Sequence, residues 1–241
     1  MQESSTQVML NAWERAKSDR LPVERALSLL TVACPSATRS SLAALPIGKR
    51  DALLFALREQ SFGPEINALA DCPACKQRVQ FQAGVRDLVA GELRDDESLL
   101  VESAGYQVEF RRPSSADLIA ARQADKPREE LLARLIVRVA RGEAAVSPQE
   151  LPQDVVGEIE SAMEAGDPQA NLQLTLRCQT CGYEWEAAFD IAEFLWSEID
   201  AWASRTLFDV HCLARAYGWR ETDIIAMNPW RRQCYLEMLN Q

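Results

Sequence analysis

The sequence is short of the residues on which most hydrolytic active sites depend. It contains one histidine, His211, among 241 residues, and no nucleophile and acid can be placed around it as a catalytic triad. A phosphate-binding glycine loop and a His-Glu-x-x-His helix are also missing. His211 follows Leu207 by one turn on the apolar side of its predicted helix, so we interpret it as a hydrogen-bonded core histidine. These features predict that the protein is not an enzyme.

Long apolar runs and an excess of basic charge are missing as well. No stretch of about 18 apolar residues occurs, so no membrane span is predicted. Residues 1–10 lack the basic and then apolar pattern of a secretory signal, and residence in the cytoplasm is expected. Lysine and arginine number 26 against 36 aspartate and glutamate residues, which gives a formal net charge of −10. Because phosphate backbones require a basic stripe, nucleic-acid binding is not expected, whereas an acidic surface favours basic protein partners.

Two Cys-x-x-Cys turns carry the strongest chemical signal, Cys72 with Cys75 and Cys178 with Cys181. Two intervening residues let both thiolates of a turn bind one tetrahedral ion. Each turn precedes a strand-like run, and Gly182 can adopt the positive φ that a tight reversal requires. Seven cysteines in a cytosolic chain suggest metal ligands or free thiols more than disulfides. The pattern predicts one structural Zn²⁺ bound by these four cysteines in a zinc-ribbon layout, with the strands that leave the two turns paired.

The distance between the turns departs from an ordinary zinc ribbon. Between Cys75 and Cys178 lie 102 residues, whereas roughly 15–20 are usual. A compact insertion is tolerable because loop-closure cost grows only logarithmically with length. Two alternatives stay open: unrelated buried turns with free thiols, and a redox Cys-x-x-Cys, which usually lies at a helix N-terminus. The other cysteines are predicted to be small buried apolar side chains, and they are Cys34, Cys212 and Cys234.

Apolar periodicity predicts an α+β fold that is mostly helical, with a small zinc-ribbon-like antiparallel β element interrupted by a long β-hairpin and helical insertion. The expected regions are a helical 1–70, a zinc-ribbon-like 71–189 with the insertion at about 88–170, and a helical 190–241. Predicted helices cover 7–34 with a break at Pro22, 48–61, 129–141, 147–166, 190–204, 204–218 and the residues after Asn228. Predicted strands cover 79–83, 99–101 with 106–110, 172–176 and 183–187. The acidic run Asp95-Asp96-Glu97 is predicted to be a solvated loop.

Five segments of the chain resemble one protein family. They are LPVERALSLLTVACP, LPIGKRDALLFALREQSFG, DCPACKQRVQF, CQTCGYEWEAAFDIAEFLW and AYGWRETDIIAMNPWRRQCYLEML. Together, and in this order, they are similar to the baseplate hub assembly chaperone or baseplate protein family of T4-like phages and of phage-tail-like contractile injection systems. The family often has glycine after the first turn too, where this chain has Lys76.

The resemblance implies a non-enzymatic assembly factor or structural subunit of a baseplate. Its expected partners are the baseplate, hub and spike proteins of a contractile tail, in the bacterial cytoplasm or incorporated into the particle. By matching position, the family also implies the four cysteines of the two turns as metal ligands. A transient chaperone and a resident subunit remain alternatives, as does self-association. Two further classes stay open, a zinc-ribbon regulator that binds nucleic acid and a metalloenzyme with a non-cysteine ligand.

Candidate partner contacts lie near the C-terminal end of the sequence. Trp219, Arg231 and Arg232 combine an aromatic residue and a basic pair in a segment otherwise rich in acid. Aromatic and arginine side chains are favoured as interface anchors. Trp230 is predicted instead to pack its helix onto the core.

Overall fold

The computed structural model describes residues 5–89 and 98–239. The helices are α1 Ser5–Ser18, α2 Pro22–Ala33, α3 Arg39–Ala43, α4 Ile47–Phe62, α5 Val85–Leu88, α6 Ser115–Arg122, α7 Pro127–Leu135, α8 Gln153–Gly166, α9 Ile191–Tyr217, α10 Glu221–Ala226 and α11 Pro229–Leu239. The strands are β1 Glu65–Asp71, β2 Arg78–Gly84, β3 Leu99–Ser103, β4 Tyr106–Phe110, β5 Ile136–Arg141, β6 Ala144–Ala145, β7 Gln173–Arg177 and β8 Glu184–Ala188. The predicted α+β class is confirmed. The expected acidic loop at Asp95-Asp96-Glu97 lies outside the described residues.

The described residues fall into two compact units. One contains those of Met1–Ser36 and Ala192–Gln241, and the other is built from Ala37–Ile191. None of the helices in the described ranges is long and apolar enough to cross a membrane.

The first unit is helical, and its core lies between α1, α9 and α10. The fully buried apolar side chains of this core are Leu10, Ala203, Val210, Leu213, Ile224 and Ile225. A polar contact also joins α1 to α9, because the Trp13 indole Nε1 donates to Asp200 Oδ1 at 2.7 Å. Lys17 Nζ lies 2.8 Å from the same oxygen.

Helix α9 continues through the point where two helices were expected. The prediction of a break near Ser204 is wrong, since Ile191–Tyr217 forms one helix of 27 residues. This segment contains neither glycine nor proline, and a change in the phase of its apolar stripe does not by itself interrupt the backbone hydrogen bonds. The stripe rotates around one continuous helix instead.

The second unit contains an antiparallel sheet of order β3-β4-β5-β6. Its inner face packs against α8 through a core that includes Val108, Phe110 and Ile159. The β3–β4 turn is the predicted hairpin. Ala104 and Gly105 have φ of 49° and 80°, as a two-residue type I′ turn requires.

The helix predicted over 129–141 is wrong in its second half. Helix α7 ends at Leu135, and Ile136–Arg141 becomes β5, in which Val139 pairs with Val108 of β4. The β-branched residues of this stretch favour a strand when a partner edge is available. The helix predicted from Ser147 begins later than expected, because Pro148–Glu150 forms a 3-10 turn before α8.

The buried carboxylate of Asp117 binds side chains from the segment between β4 and α6 and from α7. Asp117 receives two hydrogen bonds of 2.7 Å from Arg111. The Ser114 hydroxyl donates to it at 2.6 Å, and the Ser114 side chain caps α6 in return. Arg134 of α7 lies 3.3 Å from the same carboxylate. One carboxylate therefore holds the start of α6 against the end of α7.

Asp117→Asn is expected to weaken the acid dependence of stability. Burial acts to raise the pKa of Asp117, but hydrogen bonds from Arg111 and Ser114 outweigh it and lower the pKa from 3.8 to about 2. A carboxyl with a depressed folded pKa stabilises the fold above its unfolded pKa and loses this contribution as pH falls through the folded value. Between pH 4 and 2 the native protein should lose about 2 kcal/mol from this group.

Urea unfolding at several pH values between 2 and 5 measures this effect. Between pH 4 and 2, the free energy of unfolding of Asp117→Asn should fall by less than that of the native protein. The variant should also be less stable than the native protein at neutral pH. The exposed Asp125, replaced by Asn, serves as the matched control and should follow the native curve. Parallel pH curves for the native protein and Asp117→Asn would contradict the prediction.

Candidate metal centre

The two Cys-x-x-Cys turns lie at the tips of two β-hairpins. Strands β1 and β2 flank the first turn, with Asp71 paired to Arg78 at its base. Strands β7 and β8 flank the second, with Arg177 paired to Glu184. Each strand that leaves a turn therefore pairs with the strand that enters it, and the expectation that β2 would pair with β8 is wrong for the described sheets.

Strand β1 was missing from the sequence prediction. Its signal is weak, because Ile66, Ala68 and Ala70 occupy alternate positions but Leu69 interrupts the polar side of the pattern. Two of these three apolar residues are alanines, which are weak strand formers. Hydrogen bonding to β2 stabilises β1 as a strand in spite of this low intrinsic propensity.

The two turns have the same backbone structure. In each, the first cysteine donates its N–H to the carbonyl five residues later, and its own carbonyl accepts from the residue four positions on. The four bonds, each 2.9 Å, are Cys72 N to Gln77 O, Lys76 N to Cys72 O, Cys178 N to Tyr183 O and Gly182 N to Cys178 O. This shared geometry presents both cysteines of each turn on one side.

The four sulfur atoms converge. All lie within 4.8 Å of one another, with 3.7 Å between Cys72 and Cys181 and 3.6 Å between Cys75 and Cys178. A tetrahedral zinc ion with Zn–S bonds of about 2.3 Å separates its sulfurs by about 3.8 Å. The donor set therefore fits a four-thiolate zinc site in both chemistry and spacing.

Backbone amides face the sulfurs. The N–H of Cys181 lowers the pKa of Cys178 to about 6, and the N–H of Thr180 adds to this against the effect of burial. The N–H of Gln77 lowers the pKa of Cys75, yet burial and the other three thiols raise it to about 12. Thiolates this close disfavour one another's ionisation, so a full set of four thiolates requires a cation between them.

A small apolar cluster surrounds the sulfurs. Cys72 and Cys178 are fully buried and pack with Val79 and Trp185, which come from β2 and β8. Cys75 is half-buried and Cys181 is exposed. Val79 and Trp185 pack against the sulfur group. The sequence indicates this packing only through their apolar positions in strands that follow the cysteine turns.

Lys76 and Gly182 occupy equivalent positions, and both have positive φ, 61° and 74°. A residue with a side chain is destabilised by roughly 1–2 kcal/mol in this conformation relative to glycine. Glycine recovers only part of that difference, because its unfolded state has more conformational freedom to lose. Lys76→Gly is therefore expected to stabilise the protein by about 0.5–1 kcal/mol. Gly182→Ala should destabilise it by about as much, since no atom lies within 4 Å of the added Cβ and the strain is confined to the backbone.

Equilibrium urea unfolding of the two variants checks this pair of predictions. The opposite signs are the test, because a general effect of mutating near the metal would shift both variants in the same direction. Destabilisation by Lys76→Gly would contradict the backbone argument.

The remaining cysteines lie elsewhere. Cys34, Cys212 and Cys234 are half-buried, so the prediction that they are buried is wrong. In the described ranges, the four-cysteine group is the one set of three or more His, Cys, Asp or Glu side chains close enough to share an ion.

His211 is exposed, and its interpretation as a core histidine is also wrong. The buried positions of this part of α9 are Ala203, Thr206, Val210 and Leu213. One residue beyond Val210, the helix has turned by about 100° and the side chain leaves the core.

Two of the candidate partner contacts belong to an aromatic cluster in the first unit. The Trp219 ring stacks on Tyr217 with 4.6 Å between centroids, and Tyr235 meets Trp219 edge-on at 4.8 Å. The Arg231 guanidinium lies 5.9 Å from the centroid of Tyr235. We refer to Tyr217, Trp219, Arg231 and Tyr235 as the C-terminal aromatic cluster.

Arg232 and Trp230 point in opposite directions from α11. Arg232 is only 4% exposed, and burial lowers its pKa while the charge of Asp209 acts against that shift. Trp230 is 77% exposed, so the prediction that it packs in the core is wrong. The two positions are separated by about 200° around the helix, and with Arg232 inside, Trp230 must face solvent.

Comparison with known proteins assigns the chain to a family. No curated protein and no solved structure matches it. The family model described as T4 bacteriophage base plate protein matches residues 7–196, a stretch that includes both Cys-x-x-Cys turns. This confirms the resemblance to baseplate proteins for the four sequence segments that end at or before Trp196, whereas the fifth, at 216–239, lies beyond the matched residues. Because the match covers well over half of the 241 residues, the chain belongs to the T4 bacteriophage base plate protein family.

Proposed function

We propose that this protein is a non-enzymatic assembly factor or structural subunit in the baseplate or hub of a phage-tail-like contractile injection system. The observation that carries the proposal is the family match over residues 7–196. The formal net charge of −10 fits a protein that docks on other proteins better than one that binds nucleic acid. Its partners are the baseplate, hub or spike proteins of the same tail.

We further propose one structural Zn²⁺ bound by Cys72, Cys75, Cys178 and Cys181. The convergence of four sulfurs from two matching turns supports this assignment. Bound zinc would supply cross-linking and charge compensation, and four thiolates would fill its tetrahedral shell without a position for substrate. Tetrahedral all-sulfur sites are typical of zinc or iron, so elemental analysis of the purified protein, with one zinc per chain expected, tests the identity of the ion.

For partner contact, we place Trp219 and Arg231 on the docking surface, with Arg232 beneath it. The C-terminal aromatic cluster holds Trp219 and Arg231 near the ring of Tyr235. Stacked aromatic side chains and arginine lose little conformational freedom when they bind, which suits them as anchors. Arg232 contributes from beneath the surface, because it is buried and interacts electrostatically with Asp209 of α9.

Replacement of Trp219, Arg231 and Arg232 by alanine tests this surface. Incorporation into particles, or particle yield, should fall at least tenfold. Trp219→Ala with Arg231→Ala, which leaves buried Arg232 intact, should show most of the loss. Trp230→Ala is the matched control for removal of an exposed indole outside the cluster, and normal assembly by the triple variant would refute the assignment.

The functional proposal is tested by deletion of the gene and mass spectrometry of purified particles. Presence of the chain at fixed stoichiometry means a resident subunit. Absence from particles, with particle formation lost on deletion, means a transient assembly factor. Particles that form normally without the gene and lack the protein would overturn the proposal. Retention of the protein on a DNA column at physiological salt would favour the regulator of nucleic acid instead.

A further inference from the structure

One exposed face of α9 combines apolar and basic side chains. The buried positions of this stretch, Ala203, Thr206, Val210 and Leu213, share one side of the helix. Phe208 lies about 180° from the middle of that side and is 66% exposed, beside Leu207 at 36%. The outer face of α9, as we call it, consists of Ser204, Arg205, Leu207, Phe208, His211 and Arg215.

The outer face of α9 carries two arginines against one carboxylate at its edge, Asp209, which lies about 100° from Phe208 on the side opposite Leu207. Arg205 and Arg215 flank Phe208 one and two turns away and are exposed, as is His211. Asp209 is half-buried. It interacts electrostatically with buried Arg232 as well as with Arg205. In a chain with formal net charge −10, this face is locally basic.

We propose that the outer face of α9 docks an acidic segment of a protein partner that also carries apolar side chains. A solvent-facing phenylalanine next to leucine offers an apolar anchor. The two arginines offer charge-assisted hydrogen bonds to carboxylates on either side of it. Exposed charges of one sign around an apolar centre set the choice of partner through complementarity.

Two other occupants fit this face less well. In a symmetric dimer the same patch meets itself, so arginines would oppose arginines. Nucleic acid needs a series of phosphate contacts, whereas this face offers two arginines separated by apolar residues. The docking surface is distinct from the C-terminal aromatic cluster and does not depend on the proposed baseplate role.

The test is a photo-cross-linking experiment with the full chain expressed in cells that also contain its natural partner proteins. The cross-linking amino acid p-benzoylphenylalanine replaces Phe208, and for the control it replaces exposed Glu237 of α11. We expect a cross-link at Phe208 to a protein segment with more acidic than basic residues. Arg205→Glu with Arg215→Glu should reduce its yield at least fivefold. Replacing the acidic residues of the mapped partner segment by lysine should restore the cross-link yield of the Arg205→Glu, Arg215→Glu variant.

Several results would overturn the proposal. The first is the absence of a cross-link above that of the Glu237 control. The second is a cross-link to a second copy of the chain, to nucleic acid, or to a segment without an excess of acidic residues. The third is a cross-link yield that charge reversal leaves unchanged. Thermal unfolding of the charge-reversed variant, with a native melting temperature expected, shows that lost yield does not come from misfolding. If particles form normally without the gene, the baseplate role fails while a cross-link to an acidic segment stands. If particles require the gene but Phe208 cross-links nothing, only this surface fails.

Discussion

Cys178→Ser is expected to lower the free energy of unfolding of the second unit by more than about 4 kcal/mol, because it removes a ligand of the proposed zinc, and loss of a metal ligand is among the most destabilising single changes. Cys178 is 1% exposed and accepts two backbone N–H groups through its sulfur. The apolar cluster that joins the two hairpin tips is small, with Val79 and Trp185 as its non-cysteine members. The binding free energy of the proposed zinc would therefore contribute directly to the free energy of folding. The melting temperature should fall by about 10 °C or more.

Calorimetry and metal analysis of the same preparations measure this prediction. Cys178→Ser should retain far less than one zinc per chain, and a strong chelator should bring the native protein to the same melting temperature. Cys34→Ser is the matched control, since Cys34 is half-buried and outside the sulfur group, and it should change stability by less than about 1 kcal/mol. A native melting temperature that is indifferent to the chelator would contradict a structural metal.

Gly48→Ala is expected to destabilise the second unit by about 3 kcal/mol or more, because a new methyl group overpacks a buried site and disturbs a charged hydrogen bond. Asp167, 2% exposed, accepts the N–H of Gly48 through Oδ2 at 2.9 Å. A Cβ on Gly48 would collide with Oδ1 of Asp167 and lie 2.8 Å from its Cγ. Burial raises the pKa of Asp167, whereas the bond from Gly48 acts to lower it. The carboxylate can move only by giving up this bond at the first turn of α4.

Gly157→Ala is the matched control for this experiment. Gly157 is also helical, in α8, but its added Cβ meets nothing within 4 Å. It should stabilise the protein by about 0.5–1 kcal/mol through helix propensity alone. Urea unfolding should also show that Gly48→Ala adds little to the cost of Asp167→Ala in the double variant, since the collision is then gone. Full additivity of the two single changes would contradict the clash.

The convergence of the four sulfurs could be predicted from the sequence, because it rests on two short, matching patterns. Two Cys-x-x-Cys turns, each with a following strand, indicate where the sulfurs lie along the chain. The structure then brings Cys72 and Cys181 within 3.7 Å of each other. Which strand pairs with which was not predictable, since period-two alternation identifies a strand and not its neighbour.

Elements that depend on tertiary partners were less predictable. The apolar spacing of residues 129–141 fits a helix throughout, yet β4 captures Ile136–Arg141 as a strand. The segment 191–217 has an apolar stripe that changes phase, yet nothing in it breaks a helix. In both cases the local pattern is compatible with two structures, and packing against distant residues selects one.

Exposure of single side chains was the least predictable property. Trp230 and His211 both lie one helical step or more away from buried neighbours, and a rotation of 100° decides between core and solvent. The capping pair at the start of α6, Ser114 with Asp117 three residues later, can be recognised in the sequence. The arginines that bind Asp117, Arg111 and Arg134, lie outside α6 and cannot be assigned from this pattern. Residue type alone cannot assign such long-range partners.

The wide separation of the two cysteine turns also has a consequence in time. A ribosome that adds about 5–20 residues per second completes the second turn about 5–20 s after the first, because 102 residues lie between Cys75 and Cys178. During that interval a nascent chain has only half of its ligands, and two thiols bind zinc far more weakly than four. Capture of the proposed zinc would therefore be a late event of synthesis, because the sheet and helices between the two turns are made before the second pair of cysteines.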